Sequence, residues 1–380
     1  MKVLVATNAG AGHFGPLVPF ARALSDAGHD VVVTAPRSAE ATITSAGFVA
    51  RSVGDIPPDA YGAVFAGTAG MSLRESNLHF AREVFGRLGL AARLDDTRRF
   101  IDEWQPNMVL RETSEIASFV AAEAAGVPQV QVAIGLSSFE EIVTPALAEA
   151  LSNFGLPECL PRLQSVSRVS HVPPSLEVAS ALPGTTARFR WDDPADASGH
   201  LPDWWKSTAP LVYVTFGSEA GGMDLFPRLY RAVLDQVANM PIRVLMTVGR
   251  SADPALLGTL PANAHIERWW PQTGVMKEAV AVVGHGGYGT SMTALAAGLP
   301  QVLIPMFALD QHENARRLNE VGAGISLSDG PAAIGGLGDA LSRVLEDQSY
   351  SEGARRIAAE IAGMPPPAEA VGLLESLAQR

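Results

Sequence analysis

Short apolar runs alternate along the chain with stretches whose apolar residues recur at helical spacing, and this alternation sets the fold class. Val3 to Ala6 reads as a buried strand, Leu17, Phe20, Ala21 and Leu24 fall on one helical face, and Val31 to Ala35 supplies a second strand. With Gly28 at the helix end, the order is a βαβ unit, which requires a parallel sheet covered on both faces. Met108 to Leu110 and Val130 to Ala133 extend that sheet, and the helical stretch Ala117 to Ala125 between them stops at Gly126, Val127 and Pro128. Tyr61 to Trp104 carries Phe65, Met71, Phe80 and Phe85 without strand periodicity, so loops and helices are expected there, forming a variable binding wall.

From Arg190 to Pro210 the composition shifts to Asp, Pro, Gly, Ser and Trp, including Asp192, Asp193, Pro194 and Pro202, which marks a linker. The pattern then restarts: Leu211 to Phe216, Arg243 to Val248, Val280 to Gly284 and Gln301 to Pro305 read as strands with helical segments between them. Pro365 to Pro367 interrupts the chain before a last helical segment, Ala368 to Gln379. The expected class is α/β with two doubly wound, Rossmann-like domains over 1–195 and 211–364, a linker over 196–210 and a closing helix within 365–380.

Composition fits this division, because 380 residues of which 47% are apolar can fill two cores. A formal net charge of -12 argues against a nucleic-acid partner, which would need a dense Lys/Arg face. The sole cysteine, Cys159, excludes an internal disulfide framework and a Cys-based zinc cage and fits a reducing compartment. The opening run Val3 to Ala6 is too short for a signal peptide or a membrane span, so the expectation is a cytoplasmic protein with no membrane partner.

The densest chemistry lies in the second half. Strand Val280 to Gly284 runs into His285, Gly286, Gly287, Tyr288, Gly289, Thr290 and Ser291, with a helix expected over Met292 to Ala297 and Gly298 as its stop. Glycines let the backbone approach an anion, and the N–H groups and dipole of the following helix favour a diphosphate at the carboxyl edge of an open α/β sheet. Tight turns and close helix packing also select glycine, so the turn alone leaves both readings open. Trp269, Trp270, Pro271 and Gln272 lie upstream, and Pro305, Asp310 and Gln311 downstream, each near an expected strand end. Indole faces can stack a base, and Asp and Gln can hold sugar hydroxyls. Trp269 could equally pack between domains, His285 could be a capping or core histidine, and Asp310 could cap the following helix.

The stretch from Trp269 to Gln311 resembles the donor signature of family 1 glycosyltransferases of the GT-B fold, bacterial natural-product enzymes such as those of calicheamicin and macrolide pathways among them. The likeness covers nearly the whole chain, including the turn Thr215 to Ser218, the opening Gly12-His13 turn and the closing helix, which in such proteins crosses back onto the first domain. It implies two domains facing across a cleft, with an acceptor bound by the first and a nucleotide sugar by the second. By position, Trp269 would stack on the pyrimidine, and His285 with Gly289, Thr290 and Ser218 would bind the diphosphate. Asp310 with Gln311 would hold the donor sugar, and Gln272 and Gly287 belong to the same donor cluster. Eight residues beyond His285, many UDP-using relatives carry a glutamate for the ribose hydroxyls, whereas this chain has Thr293, which favours a deoxyribose nucleotide and hence a dTDP-sugar.

The resemblance also makes His13, in the turn Asn8 to Pro16, the catalytic base. The chemistry agrees: an acceptor hydroxyl must lose a proton as it attacks, and imidazole, with an ordinary pKa near ~6.5, suits that at neutral pH. An imidazolium benefits from a carboxylate behind it. Glu112, after strand Met108 to Leu110, is the candidate where the family usually carries Asp; Glu115 is its rival, and Glu112 could instead favour a helix dipole or pair with Arg111.

The expected activity is thus inverting transfer of a deoxysugar to a small lipophilic aglycone, such as a polyketide, macrolide or enediyne, with Phe65, Met71 and Phe80 as candidate acceptor contacts. No cluster of Asp and His has metal spacing, so no metal is expected and no cofactor beyond the nucleotide sugar as co-substrate. A homodimer is compatible with this reading. A sugar-nucleotide epimerase of the same architecture and a non-catalytic accessory partner of a transferase are the alternatives.

Overall fold

The computed structural model describes residues 1–153, 159–177, 184–192, 201, 207–218, 220–222 and 225–379. Within them the chain forms two compact units, one of residues 1–172, 177–192 and 364–380, the other of 173–176 and 193–363. Most of the stretch expected as a linker, 196–200 and 202–206 with Asp193, Pro194 and Pro202, lies outside the described residues.

The first unit is built on seven parallel strands: β1 (Lys2–Ala6), β2 (Asp30–Pro36), β3 (Val49–Val53), β4 (Met108–Glu112), β5 (Gln129–Val132), β6 (Arg168–Ser170) and β7 (Thr186–Arg188), in the order β3-β2-β1-β4-β5-β6-β7. The central strands are buried on both faces, as parallel sheets wrapped by helices must be. Phe20 and Leu24 of the helix Val18–Asp26 close one face of the sheet. The final helix, Ala370–Ala378, belongs to this same unit: Ala370 and Leu374 join the core under β1 and β2, and Glu375 lies 3.1 Å from His29 Nε2.

A long helical segment runs from Leu73 to Trp104 across the other face. It starts at a capping box, with Ser72 and Glu75 exchanging side-chain and backbone hydrogen bonds. Its turns then widen to i→i+5 spacing over Ala81–Leu88 before ordinary helix resumes at Gly89–Trp104. Gly86 makes close packing possible here, because a Cβ on it would sit 2.4 Å from that of Ala150 in the helix Ser137–Asn153.

The second unit repeats the design with six parallel strands: β8 (Leu211–Thr215), β9 (Arg243–Thr247), β10 (Ala264–Glu267), β11 (Ala279–Gly284), β12 (Gln301–Leu303) and β13 (Gly324–Ser326), ordered β10-β9-β8-β11-β12-β13. The helix Arg228–Val237 turns Leu229, Tyr230, Val233, Leu234 and Val237 into the core and keeps its polar face outward.

The strands that hydrophobic runs did not disclose, β3, β6, β7, β10 and β13, read VARSV, RVS, TAR, AHIE and GIS. Each is short, and most mix polar residues into half-exposed positions, so neither alternation nor an apolar run develops. The helix expected from Met292 instead begins at Tyr288, and Tyr288 to Ser291 are its first turn. Gly287 takes an extended conformation as N-cap and Tyr288 is buried, which pulls the start forward by a turn.

Candidate active site

In the first sheet the connections reverse direction between β1 and β4, and the carboxyl ends of strands at such a switch point open onto a crevice. His13 sits on the short helix Ala11–Phe14 just after β1, and Glu112 is the last residue of β4. Their side chains meet, with His13 Nδ1 3.1 Å from Glu112 Oε1. Glu112 is fully buried, whereas 21% of the His13 side chain is exposed. Asn8 Nδ2 donates to Glu112 Oε1 at 2.6 Å and the Ser114 amide donates to Oε2 at 2.5 Å. Glu115, the rival carboxylate, is occupied otherwise: it accepts from the Ser118 amide at 2.9 Å and from the Ser118 hydroxyl.

Burial pushes the Glu112 carboxyl upward, but the His13 ring, the Ser114 amide and Asn8 outweigh it and hold the group below the usual carboxylate range. An ionised carboxylate can only accept, so the shared proton belongs on His13 Nδ1 and the ring lone pair on Nε2. That is the tautomer a proton acceptor needs. Against the imidazole lies Phe85, ring centroids 5.3 Å apart, followed by Phe80 at 6.0 Å from Phe85 and Tyr61 at 5.4 Å from Phe80. The arrangement joins Phe80 to the His13 site, while Phe65 and Met71 lie exposed on the helix Pro58–Gly67 and the turn after it.

The second sheet reverses between β8 and β11; Ser218 follows β8 and His285, Gly287, Gly289 and Thr290 follow β11, while Trp269 and Gln272 come after β10 and Asp310 and Gln311 after β12. Gly286 adopts φ +82°, and a Cβ on it would stand 2.6 Å from the Gln311 carbonyl oxygen, so only glycine fits there. Its own carbonyl accepts from Asn314 Nδ2 at 2.8 Å. The Ser291 amide is taken by the Gly287 carbonyl at 3.0 Å, which leaves the amides of the preceding first turn, Gly289 and Thr290 among them, as the helix N-terminus. Gln272 Nε2 donates to Thr290 Oγ1 at 3.2 Å, and Ser218 stands exposed in the turn after β8 beside Gly217, where a Cβ would come within 3.0 Å of the His285 ring.

Trp269 is 48% exposed and carries the Arg250 guanidinium 4.4 Å from its ring centroid. Asp310 is a first-turn acid of the helix Leu309–Glu320, whose N-cap is Ala308, so it does not cap that helix. Gln311 is buried and its Oε1 accepts from the Met306 amide at 2.9 Å, bracing the loop before the helix. Thr293, also buried, donates its hydroxyl to the Gly289 carbonyl at 2.9 Å.

The His285 ring lies close to Gly217 and Gly287, and burial lowers its pKa to about 4 against a hydrogen bond it donates to the Thr215 main chain, so the ring is neutral at pH 7. The sign of the consequence is fixed. An unfolded histidine takes its proton near pH ~6.5 while the folded one resists until about 4, so acidification through that window costs stability. Thermal unfolding at pH 7 and pH 5 checks this: His285→Gln should narrow the gap between the two Tm values, and an unchanged gap would refute it.

The sequence does not single out Asn8, Arg93, Arg250 or Asn314 as parts of these clusters and offers Phe85 only as part of a binding wall. Asn8 lies two residues beyond an expected strand end, where a polar residue is readable; Asn314, in the interior of the helix Leu309–Glu320, and Arg93, which donates to the Asn8 side-chain oxygen from the interior of the helix Gly89–Trp104, carry no local signal.

Among the described residues no helix is long and apolar enough to cross a membrane, and no group of three or more His, Cys, Asp or Glu is gathered as a metal would need.

Residues 22–217 match the N-terminal domain, and residues 231–377 the C-terminal domain, of the family described as erythromycin biosynthesis protein CIII-like. L-demethylnoviosyl transferase of Streptomyces niveus is 32% identical over 376 residues, covering 97% of this chain and 96% of that protein. The glycosyltransferase SsfS6 of Streptomyces sp. SF2575, complexed with thymidine diphosphate, superposes with a TM-score of 0.78 at 27% identity over 99% of both chains. The spinosyn rhamnosyltransferase SpnG, also complexed with thymidine diphosphate, gives a TM-score of 0.81 at 26% identity over 99% of this chain and 100% of its own. The two parallel-sheet units, the clusters at their switch points and these likenesses together make the chain a member of the EryCIII-like family, glycosyltransferases of natural-product deoxysugars with the GT-B fold.

Proposed function

We propose that this glycosyltransferase takes a deoxysugar from a thymidine diphosphate donor and places it on a small lipophilic natural-product aglycone by a single inverting displacement, with His13 as general base and no metal. The observation that carries the reading is the His13–Glu112 pair, 3.1 Å apart, with the carboxylate buried and the imidazole partly exposed beside aromatic rings. His13 Nε2 takes the acceptor proton as the acceptor oxygen bonds to the anomeric carbon and the bond from that carbon to the diphosphate breaks. Glu112 stabilises the imidazolium and keeps it in place. One base and one displacement invert the anomeric centre. Phe85, Phe80 and Tyr61 give an acceptor its apolar surface, with Phe65 and Met71 as outer contacts.

The donor end rests on the second unit. Amides of Gly289 and Thr290 at a helix N-terminus and the hydroxyls of Thr290 and Ser218 supply donors for the diphosphate, with the neutral His285 ring packed beside them. Trp269 offers a face to the thymine, Gln272 steadies Thr290, and Asp310 with the Gln311 amide group meets the sugar hydroxyls. Thr293 presents no carboxylate to a ribose 2′-hydroxyl, and thymidine diphosphate is the nucleotide bound in related SsfS6 and SpnG structures.

A thermal-shift comparison tests the donor class, because a ligand that binds only the folded state raises Tm with the logarithm of its saturation. Thymidine diphosphate should give the largest shift, ahead of UDP and GDP; a larger shift with UDP would overturn the deoxyribose assignment. Transfer should also continue at its full rate in excess EDTA, and loss of activity restored by a divalent cation would contradict the metal-free route.

A further inference from the structure

Glu112 is held by more than its histidine. Its Oε1 accepts from Asn8 Nδ2 at 2.6 Å, from the Asn8 amide at 3.4 Å and from His13, while Oε2 accepts from the Ser114 amide. Asn8 is itself buried, and its side-chain oxygen accepts a hydrogen bond from Arg93 Nη1. Arg93, buried in the helix Gly89–Trp104, also donates from Nε to the Gly54 carbonyl at 3.3 Å. A guanidinium can only donate and a carboxylate can only accept, so the two ends of this chain leave the Asn8 amide a single orientation. Glutamate also has one more rotatable bond than the aspartate usual at this place in the family, and needs more fixing to present one oxygen to an imidazole.

We propose that Arg93 and Asn8 are positioning residues of the transfer reaction: Arg93 orients the Asn8 amide, and Asn8 pins Glu112 Oε1 against His13. The proposal rests on the reading of His13 as the base. The network also withdraws charge from the carboxylate, because each donor on Oε1 competes with the imidazole for its electron density. Removing the brace therefore leaves more negative charge on Glu112 Oε1, facing His13, and raises the pH at which the ring loses its proton. Among the described residues, the charged groups facing this cluster include Arg111, which donates to the Glu112 carbonyl at 3.1 Å, Glu115, held on Ser118, and Asp55, whose charge acts on Arg93. None of them stands between Arg93 and Asn8, which are in direct contact.

The test is the pH profile of kcat/KM for wild type, R93M, R93K, N8S and the R93M/N8S pair, with H13A alongside. R93M and N8S should each lower kcat/KM at pH 7 by about tenfold and move the ascending limb up by roughly half a unit or more. The double variant should fall little below either single one, because both break one chain. R93K keeps a donor and a charge, so its limb should stay closer to wild type than that of R93M. Thymidine diphosphate affinity, which draws on the other unit, should be unmoved in all of them. Limbs of R93M and N8S that coincide with wild type would overturn the proposal, and should R93M fail to fold, an unmoved limb in N8S alone does so. Undiminished transfer by H13A would instead sink the underlying assignment of the base, whatever the brace variants do.

Discussion

His13→Ala is expected to cut transfer by about 10²–10⁴-fold while thymidine diphosphate binds with its wild-type affinity to within about twofold. The loss follows from removing the imidazole in contact with Glu112, so that the acceptor hydroxyl must ionise without a positioned base. Binding should survive because the donor cluster is built on β8, β11 and the helix Tyr288–Ala296 of the other unit. The fold should survive as well, since the Glu112 carboxylate keeps Asn8 and the Ser114 amide as hydrogen-bond donors after the ring is gone. Transfer rates with a competent aglycone and titration calorimetry with thymidine diphosphate measure the two quantities separately, and a parallel loss of both would refute the division of labour.

Gly287→Ala is expected to weaken thymidine diphosphate binding by roughly 10–100-fold, the equivalent of about 1.4–2.7 kcal/mol. A methyl group on Gly287 would lie 2.3 Å from His285 Nε2 and 2.7 Å from Cε1, so the imidazole must shift to admit it. Backbone strain plays no part, because Gly287 has φ -62°, which alanine adopts freely. Gly289→Ala separates displacement of the ring from blockage of the ligand: a Cβ there meets nothing of the protein within 4 Å, so Tm should hold while the diphosphate, passing over the helix N-terminus, meets the new methyl. Full-strength binding by Gly287→Ala would mean that the His285 ring takes no part in holding the diphosphate.

The parts of this molecule that were legible in its sequence are those where one chain segment decides the outcome. Val3 to Ala6 and Val280 to Gly284 are short apolar runs bounded by glycine-rich turns, which read as strands of a covered sheet, and the residues after them, His13 and His285, take their place at a sheet edge from that. Glu112 was reachable for the same reason, as the end of β4. The choice between Glu112 and Glu115 was not, because it depends on Ser118 engaging one carboxylate and on Asn8 reaching the other from 104 positions away. Arg93 lies 85 positions from Asn8 and looks in sequence like any helical arginine. Phe85 was visible as an apolar residue in a binding wall, but its approach to His13 depends on the widened turns Ala81–Leu88, which no local propensity announces. The start of the helix at Tyr288 was misjudged because three glycines and two hydroxyl residues suggest a loop, whereas burial of Tyr288 settles the matter in three dimensions.

The most direct test is a crystal structure of the protein with thymidine diphosphate. Diphosphate oxygens should lie within hydrogen-bonding distance of the Gly289 and Thr290 amides and beside the His285 ring, with thymine stacked on Trp269. A nucleotide bound away from the Gly286–Thr290 turn, or one whose phosphates avoid that helix N-terminus, would contradict the account.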